Sequence, residues 1–521
     1  MPPVLDAIVV GSGFGGAVTA ARLAAHGYRV VVLERGRRWD VDSFPRRPGD
    51  PWMFDVRDPA RKNGWFDFRA FPKMSVVQGA GVGGGSLVYA NISVDAKPDS
   101  FNTGWPAEIT PAELAPHYTR VHETMGTRPV PANQLPARTR LLKKAAEQRG
   151  WGDRFRQLDL AVTFDETWSY DLPDAHDVSR SKPVTNPQGR PQGTCIHLGD
   201  CDIGCKVKAR NTLDLNYLAI AEDHGADIRP LHLVRHVEAH GSGYRVHFER
   251  IADGHLVPDH LDGRIVILAA GSLGSTEILL RCRDGGTLPQ ISPMAGQGWS
   301  SNGDFLTPGF HLGTRVLPTR GPTITAAIDL LDGTVDQQDI FIEDGGLPDV
   351  ARGFLEDLVE TPHQIPEQER VRVEFLRLLA QLRALTHIMP WFAQSRDAAD
   401  GVMSLKDGQL FLDWQIAASK RTIDAVVKTH EQLAISTGGI PLVPAPWRFK
   451  QELITPHPLG GARMASTKAE GVVNHMGEVF DCPNLFVADG AIVPKALGLN
   501  PSKTIAALAE HIAAQIIARG R

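Results

Sequence analysis

The segment that most constrains the fold lies near the start of the chain, between Asp6 and Gly36. Residues Ile8 to Val10 form a short apolar run that is typical of a strand buried on both faces. Ala17 to His26 predicts a helix, and Arg29 to Leu33 predicts a second, parallel strand. Strand, helix and strand in this order predict the βαβ unit that binds dinucleotides.

The turn between the first strand and the helix carries the pattern G-x-G-x-x-G at Gly11, Gly13 and Gly16. Gly11 allows the tight turn, Gly13 lets the backbone approach a pyrophosphate, and Gly16 lets helix and strand pack closely. The helix N-terminus offers free N–H groups to phosphates, and Glu34, after the second strand, can accept hydrogen bonds from ribose hydroxyls. The motif predicts an ADP-containing dinucleotide and leaves FAD and NAD as alternatives.

Composition limits the classes of partner and the compartment. The chain has 521 residues, which is too long for one typical core, so we expect two or more domains. A net charge of −5 without a basic run argues against a nucleic-acid partner. No apolar run approaches the roughly 20 residues of a transmembrane helix, and no secretory signal is visible. Five cysteines fit a reducing compartment, so a cytoplasmic protein is expected.

A second glycine-rich stretch runs from Val76 to Asn91, and its backbone could press against a large planar group; the alternative is a flexible loop. A buried strand at Arg264 to Ala269 then leads into Gly271, so the nucleotide domain resumes more than 200 residues after it began. We therefore predict an α/β protein, a Rossmann-type FAD-binding domain with an inserted α+β substrate-binding domain whose sheet is covered by helices. The predicted boundaries are 1–44, 206–304 and 465–521 for the first domain, and 45–205 and 305–464 for the second.

Two regions between these segments leave alternatives open. Cys195, Cys201 and Cys205, with His197 among them, could bind a metal, but buried structural thiols are the favoured interpretation and no metal site is predicted. Helices are predicted at 350–360 and 366–394. The apolar spacing of the second fits a lid over an apolar substrate or, as favoured, ordinary core packing.

The last 70 residues are again dense in motifs. His457 opens the sequence HPLGG, a rigid turn that holds one imidazole. Asn500 and Pro501 precede a final helix that is predicted to end near Ala518. Because proline suits the first helical position, Asn500 is predicted to be the N-cap.

Together these pieces resemble the glucose–methanol–choline (GMC) oxidoreductase family of FAD enzymes. The resemblance covers nearly the whole chain, through GSGFGG, GVGGGSLV, VILAAGSLGSTEILL, HPLGG and VADGAIVP followed by NPSKTIAALAE. A narrower likeness is to the family's bacterial cholesterol oxidases with non-covalent FAD. AAGSLGSTEILLRCRDGGTLP, GWSSNG, HPLGG and LNPSKT carry it. One departure is Tyr89-Ala90-Asn91, where those oxidases commonly have Asn-Gly-Gly.

The resemblance implies roles for three residues. His457 would take the proton of the substrate hydroxyl, or hold that hydroxyl, while hydride passes to the flavin. Asn500 would orient the hydroxyl and the flavin edge. Glu343 falls where the cholesterol oxidases have an active-site glutamate and, if desolvated, could shuttle a carbon-bound proton in a 5-ene to 4-ene isomerisation.

The resemblance also implies a cofactor, a substrate class and an acceptor. The cofactor is FAD, the substrate a small hydrophobic alcohol, sterol-like and secondary, and the acceptor oxygen or another electron acceptor. A quinone- or protein-dependent dehydrogenase for a non-sterol alcohol is the alternative. The residues expected to hold FAD are Gly11, Gly13, Phe14, Gly15, Gly16, Glu34, Gly85, Ser86, Tyr89, Val234, Asp489, Gly490 and Ser502.

Overall fold

The structure is a computed structural model that describes residues 5–47, 49–348 and 384–520. The α-helices in these ranges are α1 (Phe14–Ala25), α2 (Pro111–Met125), α3 (Ala137–Gln148), α4 (Tyr217–Asp223), α5 (Gly271–Asp284), α6 (Lys420–Ser436) and α7 (Ser502–Ala518). The strands up to the middle of the chain are β1 (Leu5–Val10), β2 (Val30–Leu33), β3 (Met53–Phe54), β4 (Phe66–Phe71), β5 (Met74–Gly79), β6 (Phe155–Gln157), β7 (Pro183–Thr185), β8 (Pro191–Gly193), β9 (Asp227–Arg229), β10 (His232–His240), β11 (Gly243–Ala252) and β12 (His255–Leu268). The later strands are β13 (Gln297–Trp299), β14 (Phe305–Phe310), β15 (Ala326–Val335), β16 (Gln338–Asp344), β17 (Ile388–Ser395), β18 (Gly401–Lys406), β19 (Gln409–Asp413), β20 (Ile440–Pro441), β21 (Leu453–Thr455) and β22 (Leu485–Val487).

The first sheet has β1 near its centre, and the strand order is β10-β11-β12-β1-β2-β9, with β22 also paired to β12. β1 pairs in parallel with both β12 and β2, and its residues from Ala7 to Val10 are buried. α1 covers β1 and β2 and packs against α4 and α7. Because the carboxyl ends of parallel strands share one edge, Gly11 after β1, Glu34 after β2 and Ala269 after β12 meet there. The predicted Rossmann-type unit is confirmed.

The second large sheet is antiparallel, with the order β20-β14-β17-β16-β15-β6. α6 packs against β14, β16 and β17, and α3 against β15 and β16, so helices cover this sheet as predicted. In a smaller sheet, β21-β5-β4-β3, the strand β5 leads into the glycine-rich run after Gly79 and the neighbouring strand β21 leads into the turn at His457. The domain boundaries themselves stay a prediction.

The prediction of a helix at 366–394 is wrong at its C-terminal end. Residues Ile388–Ser395 form β17, which pairs with β14 on one side and β16 on the other. Pro390 cannot donate the hydrogen bond that a helix interior requires, and two neighbouring strands satisfy the backbone instead. The rest of that prediction, up to residue 383, and the helix predicted at 350–360 lie outside the described residues.

Candidate active site

A cavity of about 770 Å³ connects the first sheet to the turn that carries His457. One end is formed by the loop after β1 and the start of α1, where Gly11 and Gly13 line the wall. The other end is formed by His457 and by Asn500, just before α7. The cavity therefore joins the predicted nucleotide motif to the predicted reacting residues, which are distant in sequence.

The glycine pattern at the nucleotide end has two different causes. Gly11 has a φ of +96°, and a Cβ there would lie 2.3 Å from the Ala269 carbonyl oxygen, so the fold itself requires glycine. Gly13 has an ordinary φ of −71°, and the nearest atom to a Cβ there would be the Gly84 Cα at 3.9 Å. Since the fold leaves room for a side chain at Gly13, that open space is where a ligand can approach the backbone.

Glu34 lies at the same end and is already oriented. Its Oε2 accepts hydrogen bonds from the Ser12 N–H at 3.1 Å and the Ser12 hydroxyl at 2.7 Å, and its Oε1 accepts from the Gly36 N–H at 2.8 Å. The carboxylate is buried yet lines the cavity. Each carboxylate oxygen can accept two hydrogen bonds, so Oε1 retains capacity for a ribose hydroxyl.

Asp489 connects the carboxyl end of β22 to α5 beside the same cavity. Its Oδ2 accepts hydrogen bonds from the Gly271 N–H at 2.8 Å and the Ser275 hydroxyl at 2.5 Å, and its Oδ1 accepts from the Ala491 N–H at 2.8 Å. Burial raises the pKa of Asp489 to about 6, against the opposing effect of these donors. The contacts fix the loop that includes Gly490.

Two buried polar atoms of cavity-lining residues have no hydrogen-bond partner in the described part of the chain. They are the Tyr89 hydroxyl and the Asn500 Oδ1. Burying such a group without a partner costs about 1–3 kcal/mol. A bound ligand that forms hydrogen bonds with these two atoms would remove this cost. With the space at Gly13 and the carboxylate of Glu34, the residues present fit a large polar cofactor with a phosphate group.

The reacting end is built around an Asp–His pair. His457 follows β21, and its Nδ1 lies 2.9 Å and 3.1 Å from the two carboxylate oxygens of Asp304, which precedes β14. The Thr455 hydroxyl donates to Asp304 Oδ2 at 2.5 Å and accepts from the His457 N–H at 2.9 Å. Because Asp304 can only accept while ionised, Nδ1 carries the proton and Nε2 is left as the basic nitrogen.

The charges of the pair affect each other. Burial alone would lower the pKa of His457, but the neighbouring Asp304 carboxylate outweighs it and raises that pKa above its usual value. Burial also raises the pKa of Asp304, with His457 and Thr455 opposing the shift. The imidazole is therefore a stronger base than one buried without a partner.

Replacing Asp304 by asparagine should keep the shape of the pair and remove its charge. We expect kcat/KM to fall by about tenfold, because an amide oxygen still accepts from Nδ1 but no longer stabilises the imidazolium. The pKa of His457 should fall, so the acid limb of the pH profile of kcat/KM should move to lower pH. An unchanged profile would show that Asp304 does not set the basicity of His457.

Asn500 does not cap the final helix, so that prediction is wrong. α7 begins at Ser502, its N-cap position is Pro501, and no side chain caps it. The Asn500 side chain instead lines the cavity, where its oxygen is buried without a partner in the described ranges. The uncapped helix start also leaves N–H groups and partial positive charge at this end of the cavity.

Glu343 is fully buried in β16 beside these residues, but it does not line the cavity. The Gln394 amide of β17 donates to Glu343 Oε2 at 2.8 Å, whereas Oε1 has no hydrogen-bond partner among residues 5–47, 49–348 and 384–520. Burial raises the pKa of Glu343 to about 8, against the effects of Gln394, His457 and Asn500. The carboxyl group is therefore predominantly protonated at neutral pH.

This shift predicts a pH-dependent stability. The folded protein retains the Glu343 proton between pH 4.5 and about 8, where the unfolded chain has lost it, so the residue increasingly destabilises the fold as pH rises through that window. For Glu343→Gln, we expect Tm relative to wild type to increase by roughly 2–4 °C between pH 5 and pH 9. A difference in Tm that stays constant across this range would contradict the raised pKa.

Most of the predicted site residues line the cavity. They are His457, Asn500, Gly11, Gly13, Phe14, Gly15, Glu34, Gly85, Tyr89, Val234, Asp489, Gly490 and Ser502. Gly16 and Ser86 do not: Gly16 packs against the Gly11 carbonyl, and the Ser86 hydroxyl bonds within the protein, to Gly83 O and Leu213 N. Asp304 and Gln394 were missed, although Asp304 directly follows the SNG of the GWSSNG motif.

In the cysteine-rich loop, the atoms that could bind a metal are hydrogen-bonded or protonated instead. His197 Nδ1 pairs with the Tyr170 hydroxyl and its Nε2 with the Gln134 side chain, each at 3.1 Å. Burial raises the pKa of the Cys201 thiol to about 11, which keeps it protonated. Within the described ranges, Cys195, Cys201 and Cys205 are free thiols and join no group of three or more converging metal ligands.

Comparison with known proteins shows similarity to oxidoreductases. The GMC oxidoreductase model matches residues 392–509, and the NAD(P)-binding Rossmann-like domain model matches residues 9–57. A cholesterol oxidase of Acinetobacter baumannii is 29% identical over 551 residues, which cover 99% of this chain and 94% of that protein. Residues 392–509 thus match the GMC oxidoreductase model, and nearly the whole chain is similar to this cholesterol oxidase.

One further relative and one solved structure are also similar to this chain. A cholesterol oxidase of Mycobacterium tuberculosis (strain ATCC 25618 / H37Rv) is 29% identical over 550 residues, covering 98% of this chain and 91% of that protein. The crystal structure of pyridoxine 4-oxidase from Mesorbium loti has the same fold, with a TM-score of 0.65 at 15% identity, covering 99% of this chain and all of that one.

These similarities make the chain an FAD-dependent alcohol oxidoreductase, which needs an alcohol substrate and an electron acceptor. The fit of the cavity to a phosphate-bearing cofactor agrees with FAD. In the described ranges, no helix combines the length and apolar character needed to cross a membrane.

Proposed function

We propose that this chain oxidises a hydrophobic secondary alcohol of the sterol class to the corresponding ketone. The observation that carries the proposal is the His457–Asp304 pair at the wall of the cavity, with Asn500 beside it. The near-full-length similarity to cholesterol oxidases supports the substrate class.

The walls near the reacting end support an apolar substrate. The Phe392 ring centroid lies 6.2 Å from that of His457, and further apolar side chains line the same cavity. Among them are Leu306, Ile324, Leu347 and Ile454. Removing an apolar substrate from water against such walls contributes roughly 25 cal/mol per Å² of buried apolar surface.

The chain's own residues would hold the alcohol and take its proton. His457 Nε2 would accept the hydroxyl proton, because Nδ1 is engaged by Asp304. The Asn500 side chain would hydrogen-bond the same hydroxyl, and the N-terminus of α7 would stabilise negative charge that develops nearby. FAD, when bound, supplies the hydride-accepting chemistry.

We propose a second role, for Glu343, in shifting the double bond of an unsaturated sterol ketone. In its ionised form, which is the minor form at neutral pH, Glu343 would remove the proton on the carbon between the carbonyl and the alkene and return it to the far alkene carbon, so atoms and charge balance. Glu343 lies behind the cavity wall, so this role needs a small movement of its side chain. In Glu343→Gln, the ketone should accumulate with its double bond unshifted, while the rate of flavin reduction stays within about threefold of wild type.

A substrate screen tests the main proposal. The purified protein should be yellow, and anaerobic mixing with cholesterol should bleach the visible flavin band. Long-chain primary alcohols and sugars serve as comparison substrates. The proposal is supported if the sterol bleaches the flavin band and has a higher kcat/KM than the comparison alcohols. A preference for one of the other alcohols overturns the sterol class while leaving the alcohol oxidoreductase intact.

Reoxidation of the reduced protein identifies the acceptor. Fast reoxidation by air is expected for an oxidase. Slow reoxidation by air with fast reduction of a quinone would instead favour the dehydrogenase alternative. The alternative also requires that the substrate screen show a preference for a non-sterol alcohol.

A further inference from the structure

A group of potential metal ligands lies between α2 and α7, and none of its members lines the cavity. Glu113 and His117 stand four residues apart on α2, so they share one helix face. His511 projects toward them from α7. One ligand atom from each of the three residues lies within 4.8 Å of the other two.

The hydrogen bonds of His511 fix which of its nitrogens is basic. Its Nε2 lies 3.2 Å from the His475 carbonyl oxygen, which can only accept, so Nε2 carries the proton. The Nδ1 lone pair then faces Glu113 Oε1 at 3.2 Å, and that oxygen is also an acceptor when ionised. Two acceptor atoms at this distance require a proton or a cation between them, and the ring of His511 is only 2% exposed.

His117 brings a second imidazole to the same point. Its Nδ1 is buried and has no hydrogen-bond partner in the portion of the chain that is described. Its ring centroid lies 5.6 Å from that of His511, with an interplanar angle of 85°. The neighbouring Glu510 is not available as a ligand, because it pairs with Arg22 and with the Tyr217 hydroxyl.

We propose that Glu113, His117 and His511 form a binding site for a divalent transition-metal ion of the Zn²⁺ class. Two imidazole nitrogens and one carboxylate oxygen are a common zinc ligand set, with water in the fourth position. The His511 Nε2–H···O=C bond to His475 is the outer contact that orients a metal-binding imidazole. The ion would join α2 to the middle of α7, about 13 Å along the helix from Ser502, and would stabilise the fold.

Zinc binding by the tag-free, FAD-loaded protein tests the site. After treatment with a chelator, the protein is dialysed against ZnCl₂, and bound zinc and Tm are measured. We expect one zinc per chain and a rise in Tm of roughly 2–3 °C when zinc is a hundredfold above its Kd. MgCl₂ should produce neither effect, because imidazole nitrogen is a poor ligand for this ion.

Matched variants distinguish this site from zinc binding elsewhere. His117→Gln and Glu113→Gln change partly exposed side chains, and each should weaken zinc binding at least about tenfold. His255→Gln, at the exposed first residue of β12, should bind zinc as wild type does. The proposal is overturned if wild type binds no stoichiometric zinc, which would leave a proton between His511 and Glu113, or if either ligand variant binds zinc like wild type.

Discussion

Replacing His457 by alanine should slow the reduction of bound FAD by an alcohol about 10³-fold, with FAD still bound. The His457 imidazole lines the cavity, with Nδ1 held by Asp304 and Nε2 left to accept a proton. A positioned general base contributes typically about 10²–10⁴-fold, and the Asp304 carboxylate strengthens His457 as a base by raising its pKa. Anaerobic stopped-flow absorbance of the flavin band measures the rate directly.

The control for this variant is His255→Ala, which removes an exposed imidazole from the first residue of β12. It should reduce flavin at the wild-type rate. FAD content per chain, measured for both variants, separates a chemical defect from loss of the cofactor. If His457→Ala retains a rate within about threefold of wild type at full FAD content, His457 is not the base.

Replacing Gly13 by alanine should leave the protein folded and weaken FAD binding by about 10–100-fold. The backbone of Gly13 has angles that alanine adopts, and a methyl group there would lie 3.9 Å from the nearest protein atom, the Gly84 Cα. The methyl group would nevertheless occupy the space that a cofactor phosphate needs. Overpacking of this kind costs about 1–3 kcal/mol, which corresponds to the expected loss of affinity.

Affinity for FAD can be measured by titrating the apoprotein with FAD and following the quenching of flavin fluorescence. Gly313→Ala is the matched control, because Gly313 is exposed and a methyl group added there would have no other atom within 4 Å in the described part of the chain. Gly313→Ala should bind FAD as wild type does. Wild-type affinity in Gly13→Ala would show that the cofactor does not approach the backbone at this turn.

The nucleotide half of the site could be predicted because its physics is local. Gly11, Gly13 and Glu34 lie within one βαβ unit, where residue spacing alone places the turn, the helix N-terminus and the acid. The Asp304–His457 pair could not be predicted in this way. Its members are 153 residues apart, and only the packing of β14 beside β21 brings them together.

The errors near the reacting end also have physical causes. Apolar residues at helical spacing suggested a helix through residue 394, but a strand buried on both faces is apolar throughout, so periodicity does not separate the two. Asn500 before a proline matches an N-cap, yet tertiary packing turns its amide toward the cavity. Glu343 is buried by pairing with β15 and β17, which its flanking residues do not reveal.

An experimental structure of the protein with FAD bound is the most direct measurement of how this cavity is used. We expect the diphosphate at Gly13 and the N-terminus of α1, and the flavin ring in contact with His457 and Asn500. A flavin ring placed away from both side chains would contradict the assignment of this cavity end as the reaction centre.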